Sequence, residues 1–409
     1  FGTILILHSH TLVKVLLHPM ILPALLLGVA QTVFYGCTWY LFPSLLLEWN
    51  SVLTQPISTL TMIFTFGLLL HAVTSPFLGK YLDRDKTHIL MTISGFVLLI
   101  GLFLQITFDN FYIFALSWIL IGWSSAGLGY DICFSFLTIR IQNNPRKYIT
   151  IVTLIAGFAS TITFPLSSFL LTMGDWKFVV EIFFLIALLI GIPCNFLGIY
   201  FIRKNKLPEV TRVENVNYEK IYLDYRFYLI LIPITFIGFN HAALVTHTIP
   251  ILIEKNYSNS FGVFIMSLLG PSQVVGRVLI NIVPKKIKNL HIRFFGEFIL
   301  VACLIMLLFS ETAIFLPILY MCLQGAIVGI DSIISPLIQK EIFGTTNFGK
   351  TALYMSSIRI STYAMGPFLV SILWGFFGYN ITIVLMMCLT IIASLGTYKL
   401  ISIIYQKKK

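Results

Sequence analysis

Apolar residues run along this chain in long stretches broken by short polar segments, and the stretches are similar in length. Between charged breaks they cover residues 20–46, 57–79, 88–108, 111–139, 149–172, 178–202, 227–253, 260–284, 291–310, 313–338, 351–375 and 380–405. A helix needs about 20 mostly apolar residues to cross a bilayer core, so the pattern predicts twelve transmembrane helices. The longest polar stretch, 203–226, separates six runs from six. It reads as a linker between an N-terminal half (1–202) and a C-terminal half (227–409), being too short for a core of its own. The expected fold is an all-α polytopic membrane protein built from two pseudo-symmetric six-helix halves.

Charge orients these runs. Of the 27 Lys and Arg, all but Lys177, Lys255, Arg277 and Arg359 fall in the even-numbered loops, the linker or the terminal segments. Lys80, Arg84 and Lys86 lie in the first such loop and Lys285, Lys286, Lys288 and Arg293 in another. The opposite loops carry Glu48, Asp109, Asp175, Glu181, Glu254 and Glu311. An excess of basic residues marks cytoplasmic loops, so both termini are expected in the cytoplasm, with a bacterial inner membrane as the expected location.

Composition agrees. Only 11% of residues are charged and the mean hydropathy is +0.93, whereas a soluble domain carries roughly a quarter charged residues. The net charge of +11 is membrane-flanking rather than a nucleic-acid surface. The six cysteines stand singly, without metal or disulfide spacing. There is no phosphate-binding loop of the G-x-x-x-x-G-K-[ST] type and no cluster with metal-ligand spacing. Neither an enzyme nor a cofactor is indicated. Residues 1–18 lack a basic leader and a small-residue cleavage site, so no signal peptide is expected there.

An internal repeat appears at an offset of about 200; parallel repeats are a known carrier architecture, with the substrate site near the midplane between halves. Gly129-Tyr130-Asp131 matches Gly329-Ile330-Asp331. Each Asp stands nine residues before a basic residue, Arg140 or Lys340, and each is followed by a helix with Pro at a matching place, Pro165 or Pro367.

The loop after the second run reads Gly79-Lys80-Tyr81-Leu82-Asp83-Arg84. It resembles the G-x-x-x-D-R signature of the major facilitator superfamily, at the place where that family carries it. The resemblance implies a twelve-helix secondary transporter, with Gly79, Asp83 and Arg84 forming a cytoplasmic gate. The second-half counterpart of this loop lacks the Gly and Asp. Within the superfamily, Gly276-Arg277 on the eighth run and Arg359 ahead of Gly366-Pro367 on the eleventh resemble the oxalate:formate antiporter and monocarboxylate transporter branch. That branch places cationic residues at these positions in the substrate cavity. Two departures stand out: Arg359 replaces a Lys, and Gln273 stands where monocarboxylate carriers have an Asp, so proton coupling through an Asp–Arg pair is not implied.

The residues support the same reading physically. Arg277 and Arg359 both sit roughly 12–14 Å from the cytoplasmic end, near the middle of the bilayer. A lone charge there is costly and defaults to function, and guanidinium pairs bidentately with carboxylate. A site for a small organic anion, a mono- or dicarboxylate, is the leading expectation. The competing one is that Asp131 and Asp331 neutralise the arginines as counter-ions or carry protons. His241 and His247 are further coupling candidates, His247 as a proton-sensitive gate, although hydrogen-bonded packing histidines explain them equally well. His71 is weaker. Gln31 and Tyr35, at i,i+4, are expected to face one cavity, with Tyr40 five residues past Tyr35 less well placed.

The protein is therefore read as a monomeric alternating-access carrier in the lipid bilayer, driven by exchange or proton coupling. A carrier of a larger polycarboxylate such as a carboxylate-type siderophore, a drug or metabolite efflux pump, and a non-transporting receptor on the same fold are the alternatives.

Overall fold

The computed structural model describes residues 20–83, 87–141, 145–204, 224–284, 286–343 and 348–406. Most of the expected linker, residues 205–223, lies outside them, as does Arg84 of the expected gate. Gly79 and Asp83 are described only as the backbone of the last turns of the second helix.

Helices account for nearly all of the described chain, and among the described residues there is no strand. In order they are α1 (Ile21–Val52), α2 (Ile57–Asp83), α3 (Thr87–Thr107), α4 (Phe111–Thr138) and α5 (Lys147–Leu170). They continue with α6 (Trp176–Lys204), α7 (Tyr225–Glu254), α8 (Asn259–Ile280), α9 (Asn289–Leu308) and α10 (Phe315–Phe343). The final helical run, Phe348–Gln406, has 59 residues, about 90 Å at helical rise and too long for one crossing. It breaks at Gly378, whose φ of 74° and ψ of 169° suit glycine. The break yields α11 (348–377) and α12 (379–406). Among the described residues eleven runs are long and apolar enough to span a membrane, and the last of them contains two crossings. The twelve expected spans are recovered in this way.

Local chemistry explains several helix starts. Asn110 caps α4, its Oδ1 accepting from the amides of Tyr112 and Ile113 at 2.8 and 3.3 Å. Asp175 caps α6 through the Phe178 amide at 3.0 Å, and Ser258 caps α8 through the Phe261 amide at 3.2 Å. Basic helix ends, including Arg140, Arg203, Lys204 and Arg226, gather on one face, here termed the basic face. Glu48, Asp109, Asp175, Glu254 and Glu311 lie on the other, the acidic face. Large apolar side chains such as Phe96, Leu189 and Phe376 are exposed around the perimeter, as lipid contact requires.

The first six helices pack chiefly on one another: α1 on α5 and α6, α2 and α3 on α4. The last six do likewise, with α8 and α9 on α10 and α7 against both α11 and α12. The main crossings between the two sets are α2 on α11 and α5 on α8, with a smaller contact of the outer part of α1 on α7. Thr61 and Ser371 hydroxyls meet at 3.0 Å, and Thr65 donates to the Ala364 carbonyl at 2.7 Å. On the α5–α8 crossing, Thr161 donates to the Ser267 carbonyl at 3.0 Å. A Cβ on Gly270 would fall 2.5 Å from the Gly157 carbonyl oxygen, so the helices approach here at backbone distance. Toward the acidic face the bundle is filled with aromatic rings: Phe42 stacks on Phe64 at 4.4 Å, and Trp49 and Trp118 are fully buried beside them.

Candidate functional site

Two irregular helices shape the middle of the molecule. In α1 the five residues Gly36–Tyr40 form a π-turn, marked by the Leu41 amide reaching back to the Gly36 carbonyl. The wider turn brings Tyr35, Trp39 and Tyr40 to one face, including the pair five residues apart that regular geometry would separate. In α4 the helix breaks at Gly129 (φ −71°, ψ 172°), and a new segment begins at Tyr130 with Asp131 in its first turn. An acidic residue is favoured at such a helix start.

The side chains these turns deliver meet those of α7, α8 and α11. Tyr35 packs on Tyr130 with ring centroids 4.4 Å apart. Trp39 meets Tyr363 edge-on at 5.1 Å, and Tyr363 meets His241 at 6.1 Å. His71 lies 6.2 Å from Trp39, its Nδ1 2.7 Å from the Ser125 hydroxyl. The result is an aromatic cluster, here termed the chamber, with Arg277, Arg359, Asp131, His71 and His241 as the polar groups around it.

The two arginines differ. Arg277 is buried and bonded across the molecule: Nη1 donates to the Thr153 carbonyl on α5 at 2.7 Å, and Nε reaches the Ser332 hydroxyl on α10 at 3.4 Å. It also lies within electrostatic reach of the Tyr40 and Tyr130 hydroxyls. Arg359 is exposed and has no ion pair or side-chain hydrogen bond among the described residues. Its charge reaches Tyr363 and His71. Asp131 is exposed too; its Oδ2 accepts from Ser356 on α11 at 3.2 Å, and its charge also reaches His71. A guanidinium and a carboxylate thus stand in one chamber with His71 between their fields and no ion pair between them.

Other expected residues lie elsewhere. Gln31 does not share the cavity with Tyr35. It is fully buried and donates through Nε2 to the Leu128 carbonyl at 2.7 Å, beside the α4 break. His247 is fully buried away from the chamber. Its Nε2 meets the Pro367 carbonyl at 2.8 Å and must carry the proton, since a carbonyl only accepts; Nδ1 meets the Tyr379 hydroxyl at 2.9 Å. That is the hydrogen-bonded packing arrangement.

Asp331 is the largest departure. It pairs with neither Arg277 nor Arg359 but with Arg293, whose Nε and Nη2 donate to Oδ1 at 3.0 and 2.7 Å. Arg293, expected in a loop, is buried in α9. The repeat-matched acids therefore occupy unlike surroundings, Asp131 in the chamber and Asp331 behind it. Trp39, Tyr363 and the buried Glu297 on α9 were not among the expected residues. Tyr363 stands four residues after Arg359, and Glu297 is a lone acid in an apolar run, so both were visible as signals.

Among proteins already known, the family model of the Major Facilitator Superfamily matches residues 27–345. No curated protein matches the chain.

Proposed function

The chain belongs to the major facilitator superfamily, and on that premise we propose that this integral membrane transporter carries a small organic solute bearing a carboxylate. The supporting observation is Arg359: a guanidinium deep in a transmembrane chamber, flanked by Tyr363 and His71, with no partner among the described residues. An unpaired charge at that depth is costly unless a ligand supplies the counter-charge. A planar carboxylate meets the guanidinium fork through two parallel hydrogen bonds. Arg277, already tied to α5 and α10, then acts as the electrostatic and mechanical neighbour of the bound anion. Alternating access would proceed by rocking of one six-helix half against the other, with the basic face toward the cytoplasm.

Asp131 favours a second reading. It stands in the same chamber without an ion pair among the described residues. A solute carrying both an ammonium and a carboxylate would satisfy Asp131 and Arg359 together, which a pure anion does not.

Purified protein in a thermal-shift screen against lactate, oxalate, citrate, alanine and lysine separates these readings. Stabilisation by the three acids alone supports the anion, and stabilisation by the amino-carboxylates alone supports the zwitterion. In either case Arg359→Gln abolishes the shift. Stabilisation that survives Arg359→Gln would sink the carboxylate assignment.

A further inference from the structure

Behind the chamber, α9 carries two ionisable side chains on one face, Arg293 and Glu297, at i,i+4. Glu297 is 1% exposed. Its Oε1 accepts from the Thr397 hydroxyl on α12 at 2.7 Å, and its Oε2 is buried without a partner. Both residues line a cavity of about 30 Å³, with Asp331 across it and Ile237 of α7 closing one side. A space of that size holds about one water molecule. The charged and titratable groups facing Glu297 are Arg293 from its own helix and Asp331 from α10; α12 offers only the hydroxyls of Thr397 and Ser394. Arg293 is engaged through Nε and Nη2 by Asp331 and through Nη2 by the Ser335 hydroxyl, which itself donates to Asp331 at 2.8 Å.

One guanidinium thus stands within reach of two carboxyl groups and bonds only one of them, Asp331. We propose that Glu297 binds and releases the proton that drives transport, and that its charge state decides whether Arg293 pairs with Asp331 or with Glu297. This rests on the reading of the protein as a transporter. With the proton on Glu297 the carboxyl is neutral, Thr397 bonds Oε1, Oε2 has no need of a counter-ion, and Arg293 stays with Asp331, the arrangement seen here. When the O–H bond breaks, the proton leaves to the cavity water and the electron pair stays on the carboxylate. A bare carboxylate in that apolar shell needs a counter-ion, and Arg293 is the only guanidinium facing it among the described residues. Arg293 then swings one turn along its own helix and Asp331 loses its partner. The next residue on α10, Ser332, contacts Arg277 at 3.4 Å, so the exchange is felt at the chamber. Two discrete pairings of one side chain supply the bistable element that coupling between sites requires.

Infrared titration of the protein in lipid nanodiscs tests this without any substrate. Wild type should show a protonated-carboxyl stretch that disappears as pH rises, and Glu297→Gln should remove that band. Asp331→Asn, which frees Arg293 for Glu297, should shift its disappearance to lower pH while leaving the fold intact. Proteoliposomes with labelled lactate, oxalate or alanine give the second arm. Wild type should accumulate a transported probe under an imposed pH gradient, whereas Glu297→Gln should retain exchange and lose the gradient-driven accumulation. If wild type moves no probe, the solute reading fails on its own and the infrared arm still decides Glu297. A spectrum unchanged by Glu297→Gln, or gradient-driven accumulation by that variant equal to wild type, overturns the proposal.

Discussion

Arg277 on α8 donates to the Thr153 carbonyl on α5 at 2.7 Å, a charge-assisted hydrogen bond between one of the first six helices and one of the last six. The same crossing holds Gly157, where an added Cβ would lie 2.7 Å from Val274 and 3.2 Å from Arg277 Nη1. A close backbone approach and a guanidinium therefore brace one seam.

Widening that seam should slow the cycle without unfolding the protein. Gly270→Val places branched carbons against the Gly157 carbonyl and forces α5 and α8 apart. The expected result is greater labelling of a cysteine introduced at Thr153 and slower solute uptake, with helix content by circular dichroism unchanged. Unaltered labelling would show that the crossing is not part of the closure.

Removing the partnerless guanidinium should separate stability from binding. Arg359→Gln relieves an intramembrane charge, which costs about 2.5–3.5 kcal/mol on insertion scales in hydrocarbon and less at an exposed side chain such as this one. The variant is expected to melt no lower than wild type while losing the response to carboxylates. A large fall in melting temperature would mean that Arg359 holds the helices together instead.

On the acidic face, Lys255 is nearly buried and donates to the Leu308 carbonyl, Glu311 and Asn380 at 2.8, 2.9 and 3.2 Å. It ties the end of α7 to the α9–α10 connection and the start of α12. Lys255→Met keeps the stem and removes the donors, at an expected loss of about 1–3 kcal/mol from the buried acceptor left behind. Thermal unfolding in detergent measures it.

At the start of α7, Asp224 caps the Arg226 amide at 2.9 Å and grips its guanidinium with both oxygens. Those hydrogen bonds from Arg226 hold the carboxyl below its usual value of 3.8. A depressed folded value gives stability that is fully present above about pH 3.8 and is lost as pH falls through the lower folded value. Asp224→Ala should remove that acid-side loss and, at neutral pH, lower stability by about 0.5–2 kcal/mol as a lost N-cap. Comparing melts at neutral and acid pH reads both.

The crossings were legible in the sequence because each apolar run must satisfy its backbone inside lipid, leaving little alternative to a helix. The arginines were legible for a related reason, since an intramembrane charge stands out against its neighbours. Which way a side chain faces was not. Gln31 and Tyr35 share a spacing but not a surrounding, because one meets the broken turn of α4 and the other the ring of Tyr130. Asp131 and Asp331 match in register, yet α4 breaks at Gly129 while α10 runs straight through Gly329. Arg293 follows a run of basic loop residues and is indistinguishable from them in sequence, although the helix begins at Asn289.

The wide turn at Gly36–Tyr40 sets the phase of everything after it in α1. It holds one residue more than a regular turn, so forcing the same residues into ordinary helix would advance everything beyond them by one residue's rotation. The outer part of α1 would then rotate by about 100° relative to Tyr35. Trp49, Phe42 and Leu45, now seated in the aromatic packing near the acidic face, would turn away from it. Deleting one residue of the turn would instead leave that packing in phase and remove only the bulge that sets Tyr35, Trp39 and Tyr40 on one face, so the outer packing and the chamber lining are separable in α1.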